Sequence, residues 1–316
     1  MIELNKIYNE DCLQLLRRMP DNFINCCITS PPYYGLRDYG IEGQLGLEDT
    51  PEQYVEKIVE IFREIRRVIK DNGTCWLNLG DSYNESGKAS SGGGTDKFSK
   101  LQQGSKGSLQ VKIPTKVKGL KPKDLIGIPW MVAFALRADG WYLRQDIIWS
   151  KKNCMPESVT DRCTKSHEYV FLLAKSQKYY YNQDAIKTKM ICSAHDKRVR
   201  ESRKCAPTDK INGIRSNNNT LYEFANKRSV WETTLTPFNE AHFATFPEDL
   251  IVPCIKAGCP GGGIVLDPFM GAGTTAVMSL KLDRKYIGAE LNANYCKIAE
   301  KRILPYKMQQ KINFDE

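Results

Sequence analysis

Leu266-Asp267-Pro268-Phe269-Met270-Gly271-Ala272-Gly273-Thr274-Thr275 is the stretch on which the fold turns. GGGIVLD (261–267), which leads into it, is apolar and β-branched as a buried strand requires, and AVMSLKL (276–282) beyond it has the composition of a helix. YIGAE (286–290) then reads as a second strand and NANYCKIAEKRI (292–303) as a second helix. This β-α-β-α alternation belongs to a parallel α/β sheet, whose ligands bind where the carboxyl end of a strand turns into a helix. Gly271 and Gly273 let the backbone approach a ligand without a Cβ clash. Glu290, nineteen residues after Gly271, ends the next strand, a position from which a carboxylate can accept hydrogen bonds from both hydroxyls of a ribose. Ala276 stands where a third glycine would complete a dinucleotide fingerprint, and no cluster of donors awaits a pyrophosphate. The loop therefore fits a nucleoside without phosphates better than a dinucleotide.

The amino-terminal part carries the same alternation. INCCIT (24–29) is a strand that Pro31 and Pro32 must end, because proline supplies no amide proton to a ladder. Thr50-Pro51-Glu52-Gln53 starts a helix with a capping-box pattern. Tyr54, Ile58, Ile61, Phe62, Ile65, Val68 and Ile69 recur at helical spacing, Asp71-Asn72-Gly73 stops the helix, and Thr74 to Leu79 reads as the next buried strand. Leu125, Ile128, Met131, Val132 and Leu136 predict a helix over 125–137, and LRQDIIWS (143–150) and HEYVFLLAKS (167–176) predict two strands paired as a hairpin. If the carboxyl-terminal β-α-β-α begins the sheet, its continuation is the strand Lys6 to Asn9 with Asp11 at its end, then 24–29 with Ser30 at its end. All four strand ends would then line one cleft, in a circularly permuted order.

Composition bounds the remaining choices. The chain has 316 residues, 41% of them hydrophobic, enough for one large core with an insertion. A net charge of +9 favours polyanions without identifying one. MIELNKIYNEDC at the start has no basic region followed by a long apolar stretch, and no run of about 18 apolar residues occurs; the expectation is a cytoplasmic protein without membrane contact. Eleven cysteines include no CxxC pair, so reduced structural thiols are expected; the alternative, which the spacing disfavours, is a metal site using Cys154, Cys163, Cys254 or Cys259 with one of the three histidines. Residues 84–123 are rich in Ser, Gly and Lys, which is the composition of a solvated linker and equally of a basic loop that clamps phosphates. Residues 185–228 hold eleven Lys/Arg against four Asp/Glu and read as a basic insertion.

Thr29-Ser30-Pro31-Pro32-Tyr33 alone could be a rigid turn after a strand. Together with Asp267 to Thr275 it resembles the DNA amino-methyltransferases, whose catalytic motif is Asp/Asn/Ser-Pro-Pro-Tyr and whose cofactor motif is Asp-Pro-Phe-x-Gly-x-Gly-Thr-Thr. The catalytic motif comes first and a basic insertion lies between, which resembles the β group. The resemblance implies an α/β fold, a Rossmann-like S-adenosylmethionine methyltransferase sheet with permuted motif order and an inserted target-recognition region. It implies that Asp11 and the Cys12 backbone contact the adenine of S-adenosylmethionine and Glu290 its ribose. Asp267 with Pro268, Phe269, Gly271, Gly273 and Thr274 would hold the methionine portion, and Phe246 would pack on the cofactor. Family members often have Gly where Glu10 stands. Within the resemblance, Ser in the first motif position goes mainly with cytosine N4 and Asp mainly with adenine N6.

The residue types suit that chemistry. An exocyclic amine is a poor nucleophile because its lone pair is delocalised into the ring. The Ser30 hydroxyl and the Pro31 carbonyl can accept hydrogen bonds from both amine protons and draw the nitrogen toward tetrahedral geometry. No metal is needed. Tyr33, following Pro32, offers a face for an extruded base, worth about 1–3 kcal/mol, with Tyr34 as the second candidate.

The expected organisation is a catalytic domain over 1–184 and 239–316, with target recognition in 185–238, where Arg198, Arg200, Arg203 and Arg215 are the candidate DNA contacts. Double-stranded DNA is the expected partner; a second copy of the chain and a cognate restriction endonuclease are further partners that the resemblance allows. RNA or protein methylation, a binding protein that has lost catalysis, and a nicotinamide oxidoreductase are the rival readings. His167-Glu168 is expected to orient backbone, Asp81 to form a turn, and Trp130, Trp141 and Trp149 to fill the core.

Overall fold

Apolar strands that need cover on both faces force a central sheet flanked by helices. In the computed structural model, which describes residues 2–36, 39–84, 117, 119–189, 224–234 and 247–312, the main sheet has eight strands. They are β1 (Lys6–Tyr8), β2 (Ile24–Thr29), β3 (Ile69–Leu79), β4 (Tyr142–Lys151), β5 (His167–Ala174), β8 (Val230–Thr233), β9 (Ile264–Asp267) and β10 (Lys285–Ala289). The described helices are α1 (Cys12–Arg18), α2 (Pro51–Val68), α3 (Ile128–Ala138), α4 (Glu248–Gly258), α5 (Thr274–Lys281) and α6 (Ala293–Ile312). None of the described helices is long and apolar enough to cross a membrane.

The spatial order is β1-β10-β9-β2-β3-β5-β4-β8. The first five strands are parallel, β5 runs antiparallel to both β3 and β4, and β8 is parallel to β4. This is the permuted sheet expected from the sequence: β9 and β2, from opposite ends of the chain, pair directly with Cys26 against Val265 and Cys27 against Leu266. The connection from β9 runs to β10 on one side and that from β2 to β3 on the other, so the crevice at their carboxyl ends is the topological switch point where such sheets bind ligands.

Helix α2 forms where its cap and its apolar spacing agree. The Thr50 side chain and Gln53 make a reciprocal capping box, worth about 1 kcal/mol, and Tyr54, Ile58, Ile61, Phe62, Ile65 and Val68 are buried. The following strand starts at Ile69, earlier than the turn residues imply. Ile24 pairs with Ile69 and Cys26 with Thr74, so Asp71-Asn72-Gly73 form a bulge within β3. Buried Cys12, Cys26, Cys27 and Cys259 are core thiols, with proton affinities pushed up by desolvation, Cys259 to about 11. Trp141 and Trp149 are buried, whereas Trp130 is half-buried.

Residues 182–228 form a second compact unit. Its described part is a short 3-10 turn, Asp184–Ile186, and an antiparallel pair of two-residue strands, β6 (Thr188–Lys189) and β7 (Phe224–Ala225). Residues 229–234 group with the main sheet: Val230–Thr233 is its β8, with the Trp231 ring 6.1 Å from Trp76.

Candidate active site and nucleoside pocket

A cavity of about 580 Å³ opens at the carboxyl ends of β1, β2, β9 and β10. Asp11, Cys12, Ser30, Pro31, Pro32, Tyr33, Pro268, Phe269, Gly271, Thr274 and Glu290 all line it, so two motifs more than 230 residues apart in sequence share one space. Phe246, Arg198, Arg200, Arg203 and Arg215 lie outside the described residues, as do 85–116 and 118 within the basic stretch.

Each side of the cavity has a local cause. Glu290, at the end of β10, accepts the Gly271 amide at 2.8 Å on Oε2 and the Asn292 amide at 2.8 Å on Oε1. A carboxylate has about four lone-pair sites, so two stay available for a vicinal diol. Burial pushes the Glu290 carboxyl up while its backbone amides pull it down. Asp11 caps α1, accepting Leu13 and Gln14 amides on Oδ1 alone at 2.9 and 3.2 Å. Its second oxygen is left for a donor such as an amino group. Asn9 Nδ2 binds the carbonyls of Glu290 and Leu291, which joins the ends of β1 and β10. These groups, with the apolar Leu13, Ile61 and Phe269 in the same wall, fit a nucleoside such as adenosine.

Gly271 and Gly273 both have positive φ, +52° and +80°. At Gly273 a Cβ would lie 2.7 Å from Ala299 Cβ of α6, so this glycine is required both by conformation and by helix packing. Gly273 and Asp267 stand behind the cavity wall. The Asp267 carboxylate, 1% exposed, accepts Thr29 Oγ1 at 2.8 Å, Thr275 Oγ1 at 2.7 Å and the Phe269 amide at 3.1 Å. It therefore ties β2, β9 and α5 together at the switch point.

Burial pushes Asp267 up to about 6, against those three hydrogen bonds. The folded protein holds this proton up to about pH 6, while the unfolded chain releases it near the ordinary value of 3.8. Its contribution to stability is thus fully present below pH 3.8 and is lost as pH rises through about 6, on the order of 3 kcal/mol. Asp267→Asn removes that dependence, so thermal melts should show the variant gaining on the wild type between pH 4 and pH 7. A melting-temperature difference that stays constant over this range would contradict the assignment.

On the catalytic side, Ser30 follows β2 and its Oγ lies 3.2 Å from Asn78 Oδ1 and 3.4 Å from the Tyr33 hydroxyl. Tyr33 is held from both ends. Its ring packs over Gly80, where a Cβ would come within 2.5 Å, and its hydroxyl reaches Glu168 Oε2 at 2.6 Å and Asn78 Oδ1 at 2.8 Å. Tyr34, 2% exposed, is buried against Tyr54 and offers no stacking face.

Glu168 corrects the sequence reading. Its side chain faces the cavity and pairs with Lys151 at the end of β4. Sequence reasoning also missed Asn78, because no local pattern marks a single Asn inside an apolar strand. Asp81 does organise backbone, accepting the amides of Ser82, Gly127 and Ile128 and so capping α3.

Comparison with known proteins agrees with this geometry. The family N6_N4_Mtase, described as DNA methylase, matches residues 24–301. The type II methyltransferase M.Cfr9I of Citrobacter freundii is 45% identical over 96% of this chain and 89% of its own length. Among solved structures, the PvuII DNA methyltransferase (cytosine-N4-specific) superposes with a TM-score of 0.63 at 16% identity, covering 94% of this chain and 85% of that one. The putative DNA modification methylase TTHA0409 of Thermus thermophilus, solved in complex with S-adenosyl-L-methionine, superposes with a TM-score of 0.58 at 17% identity, covering 95% and 93%.

Proposed function

This chain belongs to the DNA methylase family N6_N4_Mtase, and from that membership we propose that it transfers a methyl group from S-adenosylmethionine to the N4 amine of a cytosine extruded from a specific site in duplex DNA. It is a DNA methyltransferase of the N4/N6 class. The observation that carries the finer reading is Ser30, a hydroxyl on the wall of the same cavity as the nucleoside pocket, in the motif position that goes mainly with cytosine. S-adenosylmethionine supplies an electrophilic methyl on a sulfonium. Glu290 would hold its ribose, Asp11 and the Cys12 backbone its adenine, and Pro268, Phe269, Gly271 and Thr274 its tail, with Asp267 and Gly273 shaping the loop from behind.

The chain's own groups do the rest. Ser30 Oγ and the Pro31 carbonyl accept the two amine protons, and the anchored Tyr33 ring receives the extruded base. In this reading residues 185–238, with Arg198, Arg200, Arg203 and Arg215, recognise the duplex, and Phe246 packs on the cofactor. A second copy of the chain and a cognate endonuclease are further partners that this reading allows.

The deciding experiment incubates the protein with duplex DNA and methyl-labelled S-adenosylmethionine and identifies labelled nucleosides by mass. N4-methylcytosine is the expected product. N6-methyladenine would keep the site and reverse the base, whereas label confined to RNA or protein would overturn the reading.

A further inference from the structure

Behind Ser30, polar side chains from three strands form one hydrogen-bonded chain. Glu168, at the start of β5, has a side chain 13% exposed; its Oε1 pairs with Lys151 Nζ. Its Oε2 lies 2.6 Å from the Tyr33 hydroxyl and 3.2 Å from Asn78 Nδ2. Asn78 Nδ2 also donates to the Tyr169 carbonyl at 3.0 Å. Two acceptors on one side fix the amide orientation and turn Asn78 Oδ1 toward the hydroxyls of Ser30 and Tyr33.

Proton bookkeeping then gives the chain a direction. A phenol has one proton, and a charged acceptor forms a hydrogen bond about twice as strong as a neutral one. Glu168, ion-paired with Lys151, is therefore the acceptor to which the Tyr33 hydroxyl donates. That leaves the Tyr33 oxygen and Asn78 Oδ1 as acceptors for the Ser30 hydroxyl, at 3.4 and 3.2 Å. With its proton drawn into the protein, Ser30 presents only lone pairs to the cavity, as an acceptor of an amine proton must.

We propose that Glu168 is a positioning residue that makes Ser30 an acceptor and, through Tyr33 and Ser30, receives the proton released by the target amine during methyl transfer. The inference rests on the amine-methylation reading above. As the N–CH₃ bond forms and the CH₃–S bond breaks, the amine nitrogen is left with one proton too many. It gives that proton to Ser30 Oγ, Ser30 passes its own to the Tyr33 oxygen, and Tyr33 passes its own to Glu168 Oε2. Both hydroxyls end neutral, and the Glu168 carboxylic acid later returns its proton to solvent. Desolvation and the adjacent carboxylate push the Tyr33 hydroxyl well above its ordinary range, so it conducts the proton without ionising on its own. Lys151 on β4 is the ion-pair partner of Glu168 Oε1. A methylated, protonated ring amine is a far stronger acid than a carboxylic acid, so transfer to a lysine-paired carboxylate remains downhill.

Glu168→Gln, Tyr33→Phe and the double variant test this in single-turnover methylation of duplex DNA, alongside Kd for S-adenosylmethionine and for DNA. Glu168→Gln is expected to lower the rate about 100-fold with both Kd values within about twofold of wild type. The double variant should be no slower than the worse single one, because both interrupt one chain. Tyr33→Phe leaves no unpaired buried charge, so it keeps the test valid if Glu168→Gln folds poorly. A wild-type rate in Glu168→Gln, or rate losses that multiply in the double variant, would overturn the relay while leaving amine methylation intact. Wild-type protein that labels no DNA base would overturn both.

Discussion

Ser30→Ala is expected to lower the single-turnover methylation rate about 100- to 1,000-fold, the scale seen when one preorganised transition-state hydrogen bond is removed. Among the described residues the Ser30 hydroxyl bonds to Asn78 and Tyr33, and those two keep partners in Glu168 and the Tyr169 carbonyl. Truncation therefore leaves the fold and the nucleoside pocket in place. In the proposed reaction the acceptor for one amine proton would be lost, so the nitrogen lone pair would stay delocalised in the ring while the Pro31 carbonyl held the other proton. The effect should fall on rate, with the Kd for S-adenosylmethionine unchanged. A variant that methylates at the wild-type rate would remove Ser30 from the mechanism.

Glu290→Ala should act on the opposite quantity. Two hydrogen bonds from ribose hydroxyls to a carboxylate, at about 1.5–3 kcal/mol each, correspond to a cofactor Kd weakened about 100-fold or more. The Gly271 and Asn292 amides also lose their acceptor, so the loop that shapes the pocket loosens. Isothermal titration with S-adenosylmethionine reads the Kd directly. At saturating cofactor the methylation rate should return to near the wild-type value, because Glu290 follows β10 and Ser30 follows β2 on the far side of β9. A collapsed rate with unchanged Kd would place Glu290 in the chemistry and remove it from cofactor binding. The contrast between the two variants separates the halves of the cavity.

Much of this is legible in the sequence alone. The capping box at Thr50 and the apolar spacing to Val68 give α2 its observed start and buried face. INCCIT followed by two prolines marks β2 to the residue, because both the strand and its end are set by local backbone chemistry. The C-terminal alternation and Glu290 at its second strand end are readable for the same reason. Other elements carry conflicting local signals. Asp71-Asn72-Gly73 has turn chemistry and sits as a bulge in β3 because the pairing of β2 with β3 resumes at Thr74. Helix α4 is hidden by Pro253 within it, and the four-residue β8 is stabilised by pairing with β4 and by Trp231 against Trp76, neither of which is local.

The division follows from range. By itself the sequence determined most of the strands and helices around the cavity and which turns carry Ser30 and the glycine loop, since these depend on neighbours within a few residues, and the order of these segments along the chain implied the permutation. Only the tertiary structure decided that Asn78 and Glu168 stand behind Ser30 and that Asp267 is a buried tie between strands. Such convergence depends on sheet order and register, which bring side chains together across 48, 135 and 238 positions, and no periodicity encodes a contact at that separation.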